Sequence, residues 1–271
     1  MTARIRLRGK LSPWQGRVYL AAGRALYLGP VEDTTPHAHH ALQVSVGLGA
    51  PVRLRRGDGP WREYEAAIGP PDVPHQLGGG GSPVLLLYVE PESADGRHWL
   101  LGVRSDIRAL DSGTVAAVRG AVCEFASSPF TESNAPRVYA ALLRSVGLVP
   151  DAPGPMDSRM AHAVRRLRDS HEPRRSLVDL ASDSGLSPSR FRHLFRQEIG
   201  MSAQSYIVWL RLCEACTALA RGSSLSDAAL RAGFSDAAHF TRTFRRTFGL
   251  APSQFTGRLT RMGTPPRIHS W

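Results

Sequence analysis

Lysine is almost missing from this chain: of its 34 basic residues all but Lys10 are arginine. Base composition of the coding DNA explains such a bias as readily as function does. Cysteine is scarce, and Cys123, Cys213 and Cys216 are too few for a disulfide framework. No long hydrophobic run exists. The longest, Val84–Val89, falls far short of the roughly 20 residues of a membrane helix, and the opening MTARIRLRGKLSPWQG has no apolar signal core. These absences predict a soluble, cytoplasmic protein in a reducing compartment, with no membrane partner. Chemistry is thin as well. The four glycines at 78–81 are not followed by the Lys-Ser/Thr of a phosphate-binding loop, and no nucleophile stands beside a base. Cys213-x2-Cys216 has no second ligand pair to complete a zinc site. No catalytic residue is predicted; the chain reads as a non-enzyme.

What is present is a repeat. SLVDLASDSGLSPSRFRHLFRQEIG from Ser176 and SLSDAALRAGFSDAAHFTRTFRRTFG from Ser224 share one skeleton. Ala181, Gly185, Phe191, Phe195 and Gly200 answer to Ala229, Gly233, Phe240, Phe244 and Gly249, with one extra residue between Gly233 and Phe240. Ser176 with Asp179 and Ser224 with Asp227 are helix-start pairs, the glycines mark sharp turns, and Ser187-Pro188 and Ser235 are expected to cap the helices that follow. Each copy is thus predicted to be a helix-turn-helix.

At about 100° per residue, Phe191, Leu194, Phe195 and Ile199 share an inner arc, which leaves Ser189, Arg192, His193 and Arg196 outside. In the second copy Phe240, Phe244, Thr247 and Phe248 point in, leaving Ala237, Ala238, Thr241, Arg242, Arg245 and Arg246 out. Arginine reads guanine edges in a major groove, and Ala or a Thr methyl touches thymine. Residues 202–221 contain no Pro or Gly and read as one linking helix about 30 Å long at 1.5 Å per residue, near the 34 Å of a DNA turn. Charge concentrates in the same region. Residues 151–271 carry 18 Arg against 10 acids, while residues 1–150 carry 16 basic against 13, as phosphate contact requires.

These motifs, ending in AGFSDAAHFTRTFRRTFGLAPSQF with its G-x-x-P-x-x-[FY] close at Gly249–Phe255, resemble the DNA-binding domain of the AraC/XylS regulators. The resemblance implies promoter DNA, RNA polymerase and a small-molecule effector as partners, a homodimer, and activation as the commoner mode. The expected architecture is α+β: a cupin-like β-barrel with accessory helices at 1–148, a Pro-rich linker at 149–157, an all-α domain with two helix-turn-helix motifs at 158–257 and a tail at 258–271. Short β-leaning segments separated by Gly, Pro and Asp between Arg17 and Glu90 agree with the barrel. Two apolar-striped helices, from Thr114 and from Ala135, are expected to form a dimer interface or to cover the barrel, with Cys123 buried. Trp14, Trp61, Tyr64 and Trp99 are candidate pocket walls, and Arg165, Arg166 and Arg168 candidate phosphate contacts.

His37-x-His39-x3-Gln43 is similar to the first cupin motif, and His75 sits where the second places a histidine. Gln43 replaces the usual carboxylate, Ala50 stands for a glycine, Asp72 for another, and the final Asn is missing. An effector pocket without a metal cofactor is therefore expected at His37, His39, Gln43 and His75. The rivals are a metal-dependent cupin enzyme or metal sensor, and a constitutive dimeric regulator.

Overall fold

The computed structural model describes residues 16–93, 95–97, 106–126, 135–147, 156–169, 176–256 and 260–261. Trp14, Trp99, the C-terminal tail beyond Arg261 and most of the expected linker lie outside them. The described residues fall into two compact units, one within Met1–Pro153 and Thr241–Pro265, the other within Gly154–Phe240.

The first unit is built on strands β1 (Arg17–Ala21), β2 (Arg24–Pro30), β3 (Leu42–Gly47), β4 (Val52–Arg56), β5 (Arg62–Tyr64), β6 (Ala66–Gly69), β7 (His75–Gly78), β8 (Pro83–Val89), β9 (Arg108–Ala109) and β10 (Thr260–Arg261). Among the described residues they form two sheets, ordered β10-β1-β2-β8-β3-β6-β9 and β5-β4-β7, and no closed ring. The expected barrel thus takes the form of a two-sheet stack. The Ala21↔Arg24 pairing leaves a two-residue turn closed by Gly23 at φ +71°, a conformation glycine adopts without cost.

Side-chain alternation assigns the layers. From β8, Val84 and Leu86 join Leu54 and Leu77 between the sheets. Leu85, Leu87 and Val89 face the other way, onto the stripe Val115, Val118 and Val122 of α1 (Ser112–Ala126) and Val138, Tyr139, Leu142 and Leu143 of α2 (Ala135–Ser145). Both predicted apolar stripes are therefore spent on their own sheet. Cys123 departs from expectation: it is exposed, because it follows Val122 round the helix, off the stripe. Residues after Thr241 join this unit through Gly249, whose carbonyl accepts the Thr35 N–H at 2.9 Å, and through Leu250, packed on the inter-sheet core.

The cupin-like departure at Asp72 has a conformational reason. Its φ is +58°, in the left-handed region where glycine is the usual choice and Asp is tolerated. Its carboxylate bonds His40 Nδ1 at 3.0 Å, while Glu92 takes His40 Nε2 at 3.1 Å. The imidazole is fully buried and Glu92 nearly so. Burial alone would lower the His40 pKa, but the Glu92 charge and the bonds from Asp72 and Glu92 outweigh it and raise it to about 10. His40 is held as a cation between two acids.

No described helix is long and apolar enough to cross a membrane.

Because the folded pKa of His40 lies above its unfolded value of about 6.5, its stabilisation is complete below that pH and is lost as pH rises through about 10. His40→Ala, which leaves Glu92 buried beside no cation, is expected to cost about 3 kcal/mol in urea unfolding at pH 7, with the gap from wild type narrowing toward pH 10. A gap independent of pH refutes the charged state.

Candidate functional site: two helical faces and a buried histidine cluster

The helical region contains α3 (Ser158–Asp169), α4 (Leu177–Asp183), α5 (Pro188–Ile199), α6 (Ala203–Ala220), α7 (Leu225–Arg231), α8 (Ala237–Phe248) and α9 (Pro252–Thr256). Ser176 and Asp179 form a reciprocal capping box at α4, and Ser224 accepts the Asp227 N–H at α7. Both short helices end in the same way. Gly185 and Gly233 take φ +64° and +79°, while Leu186 N–H and Phe234 N–H reach back to the carbonyls of Ala181 and Ala229 at 2.9 and 3.0 Å. Ala181 and Ala229 are fully buried, which leaves no room for a larger side chain against the next helix.

Ser187 caps α5, with Pro188 in its first turn. At α8 the expected cap is corrected. Asp236, not Ser235, accepts the His239 N–H, at 2.6 Å, because the extra residue of the second copy lengthens the turn by one. Counted from the cap, Phe191 and Phe240 both stand four residues in, so the insertion leaves the face that α8 presents unchanged.

In α5, Phe191, Leu194, Phe195 and Ile199 are buried, and Ser189, Arg192, His193 and Arg196 are exposed. Arg192 Nε rests on the Pro188 carbonyl at 3.0 Å. In α8, Phe240 and Phe244 are buried and Thr243 with them. Ala238, Arg242, Arg245 and Arg246 are exposed, while Ala237 and Thr241 are half-buried. His239, exposed beside Arg242, was not among the predicted contacts; its imidazole bonds the Ser235 hydroxyl at 3.1 Å.

Other expectations meet structural roles. Arg166 pairs with Asp183 at 3.5 Å and Arg168 Nε donates to the Tyr206 hydroxyl at 2.9 Å, which ties α3 to its neighbours; Arg165 is exposed. Residues 203–220 form one helix, α6, as expected. Cys216 is buried on it, its thiol pKa pushed up to about 12 by burial, so it is an inert packing group.

In the first unit the predicted pocket residues come together. His37 and His75 exchange both backbone hydrogen bonds, at 3.0 and 2.9 Å, which sets their rings 4.3 Å apart, and the His39 ring lies 5.0 Å from that of His75. All three are buried, and one nitrogen of each lies within 4.8 Å of the others. Gln43 stands on β3 between Leu42 and Val44, both packed toward the helices, so alternation turns it and Ser45 to the opposite, inter-sheet face. Two positions that the pattern would fill with apolar residues are polar.

Hydrogen bonding fixes the chemistry of the cluster. Each Nδ1 meets a backbone carbonyl, His37 with Thr35 at 2.9 Å, His39 with Ala41 at 3.1 Å and His75 with Val73 at 2.9 Å. Each neutral ring therefore carries its proton on Nδ1 and a lone pair on Nε2. Burial, and for His37 and His39 the neighbouring imidazoles, lower all three pKa values, that of His37 to about 3. Gln43 Oε1 points at the Nε2 of His39 at 2.9 Å and of His75 at 3.4 Å, while its amide nitrogen donates to Ser45. The Gln43 side chain thus bridges the Nε2 atoms of His39 and His75. Beside them is a cleft of about 260 Å³ including its open mouth, lined by Gln43, Ser45, Leu54, Val73, His75 and Ile107. Trp61 is not part of that lining; Arg53 and Arg55 stack on its ring at 5.4 and 5.0 Å.

Residues 180–258 match the family model described as "Helix-turn-helix domain". The chain is 35% identical across 83 residues to the transcriptional activator RhaR of Mannheimia succiniciproducens, covering 30% of each chain. It is 33% identical across 120 residues to the arabinose operon regulatory protein of Salmonella typhimurium, covering 42% of each. It thus spans less than half the length of these curated relatives. The fold of ToxT from Vibrio cholerae O395 is similar along 88% of this chain and 99% of ToxT, at a TM-score of 0.59 and 12% identity. Residues 180–258 are thus a helix-turn-helix domain, similar in sequence to part of these regulators.

Asp236→Ala is expected to lower stability by about 1 kcal/mol through loss of the α8 cap, while Ser235→Ala stays within about 0.5 kcal/mol. Thermal unfolding of the two variants checks this; equal effects would return the cap to Ser235.

Proposed function

We propose that this protein is a sequence-specific DNA-binding transcription regulator, non-enzymatic and cytoplasmic, that reads two half-sites with α5 and α8 and answers to a small molecule in its N-terminal unit. The observation that carries the reading is the twofold presentation of an exposed arginine face on a helix anchored by two buried phenylalanines. Arg192, His193, Thr241 and Arg242 take base edges, and Ser189, Ala237 and Ala238 line the groove walls. Arg196, Arg245 and Arg246 take phosphates. The 18 residues of α6 give a rod of about 27 Å, which suits two successive major grooves of promoter DNA.

Regulation by a small molecule is supported by the largely apolar cleft beside Gln43 and His75 and by the fold shared with ToxT, a protein also solved with an unsaturated fatty acid bound. Activation follows the name of the RhaR activators among the relatives, and RNA polymerase is the partner such activation requires. The regulator acts as a homodimer. Since α1 and α2 bury their apolar stripes on their own sheet, the interface uses the outer faces of those helices.

Arg192→Ala is expected to cost about 1–3 kcal/mol of binding and to relax preference at one half-site only, measured by gel shift on a library of operators. An equal loss on every sequence would remove the base-reading role. Arg245→Ala weakens binding on all sequences alike and reduces the salt slope by about 1. Sedimentation equilibrium reads the dimer directly, and a monomer at micromolar concentration would sink it.

A further inference from the structure

Of the described arginines in the helical region three are half-buried, Arg166, Arg168 and Arg211. Taking a guanidinium partly out of water costs free energy unless its charge and its donors are met. Asp183 meets those of Arg166, and the Tyr206 hydroxyl accepts from Arg168. Arg211 differs. Among the described residues it makes no hydrogen bond and no ion pair. Its place is fixed nonetheless, because it stands on α6 with its side chain against the turn of the second motif. A Cβ placed on Gly233 would come 3.3 Å from Arg211 Nε and 3.6 Å from its Cζ. Gly233 is exposed, so the guanidinium rests at the surface of that turn. The first motif has nothing comparable: a Cβ on Gly185, which ends α4 as Gly233 ends α7, would meet open space.

We propose that Arg211 binds a phosphate of the DNA backbone beside the half-site that α8 reads, a clamp that the linking helix supplies to the second motif and not to the first. When a helix-turn-helix docks, its second helix enters the major groove and its first crosses the backbone. The turn joining them is thereby brought to the edge of the groove, and a guanidinium resting on that turn is brought to the phosphates. The planar fork of arginine matches two phosphate oxygens at once, so one phosphodiester answers both the charge and the unmet donors. A contact of this kind fixes register and carries no sequence information. Its consequence is an asymmetry of grip, with the second motif held to the backbone by a residue that has no counterpart at the first. The inference rests on the reading of α8 given under Proposed function and adds to it a ligand for a residue outside both reading helices.

The experiment uses the full chain and the duplex it selects from a random library, with affinity followed across salt concentration. Arg211→Met keeps a stem to pack on the turn and removes the charge. It is expected to weaken binding about tenfold at about 0.1 M salt, on selected and unselected duplexes alike, and to lower the slope of log affinity against log salt by about 0.9, with the melting temperature unchanged. Arg211→Lys keeps the charge and loses the fork, and is expected to keep the slope and to recover all but about threefold of the affinity. Duplexes with one neutral methylphosphonate at successive positions then locate the contact. At a phosphate flanking the half-site whose preference Arg242→Ala relaxes, the neutral group is expected to cost the wild type about tenfold and Arg211→Met nothing. An unchanged slope in Arg211→Met overturns the contact, and a lowered melting temperature beside it makes Arg211 a packing residue of the turn. The same pattern of methylphosphonate losses at the other half-site overturns the assignment to the second motif. A chain that selects no duplex ends the reading of α8 and this proposal together, whereas selective binding with an unchanged slope ends this proposal alone.

Discussion

Three backbone carbonyls govern the interior of the N-terminal unit. By taking the Nδ1 protons of His37, His39 and His75, those of Thr35, Ala41 and Val73 decide which nitrogen of each ring is bare and where it points. The carbonyls lie two residues from their rings, so the constraint is local and is written into the loop before β3 and the entry to β7. The sheets then need only bring the two stretches together, which the paired backbones of His37 and His75 do.

Adjacent residues therefore hold opposite charge states. His39 is surrounded by imidazoles and an amide and stays neutral; His40, one residue on, faces Asp72 and Glu92 and stays protonated. Burial is nearly equal for the two, so partners and not solvent make the difference. Asp72 has two tasks in this arrangement. Its backbone makes the left-handed turn before β7, its N–H bonding the His39 carbonyl at 2.9 Å, and its side chain supplies one of the acids.

Much of this was legible in the residues. The short β-leaning segments between Arg17 and Glu90, parted by Gly, Pro and Asp, marked the strand-rich unit, and helical periodicity separated the buried phenylalanines from the exposed arginines. The stretch His75–Gly78 did not read as a strand, because two of its four residues are polar and its partner β4 is distant in sequence; only pairing reveals it. Asp72 looked like a broken motif, since sequence carries no φ angle. The α8 cap was misplaced by one because Ser235 and Asp236 are equally good capping residues, and only the observed bond to His239 separates them. Cys123 was assigned by its neighbours rather than by its own angle round α1.

The added residue in the second turn bears on how the two motifs are compared. Matched by distance from the glycine, every position of α8 would be offset by one from α5, a rotation of about 100° that would set arginines against phenylalanines. Matched from the capping residue, the two helices superpose in phase. The turn thus acts as a slack coupling, free to gain or lose length while the helix beyond it keeps its orientation, and diversification of the motif can proceed in the turn without disturbing what the helix reads.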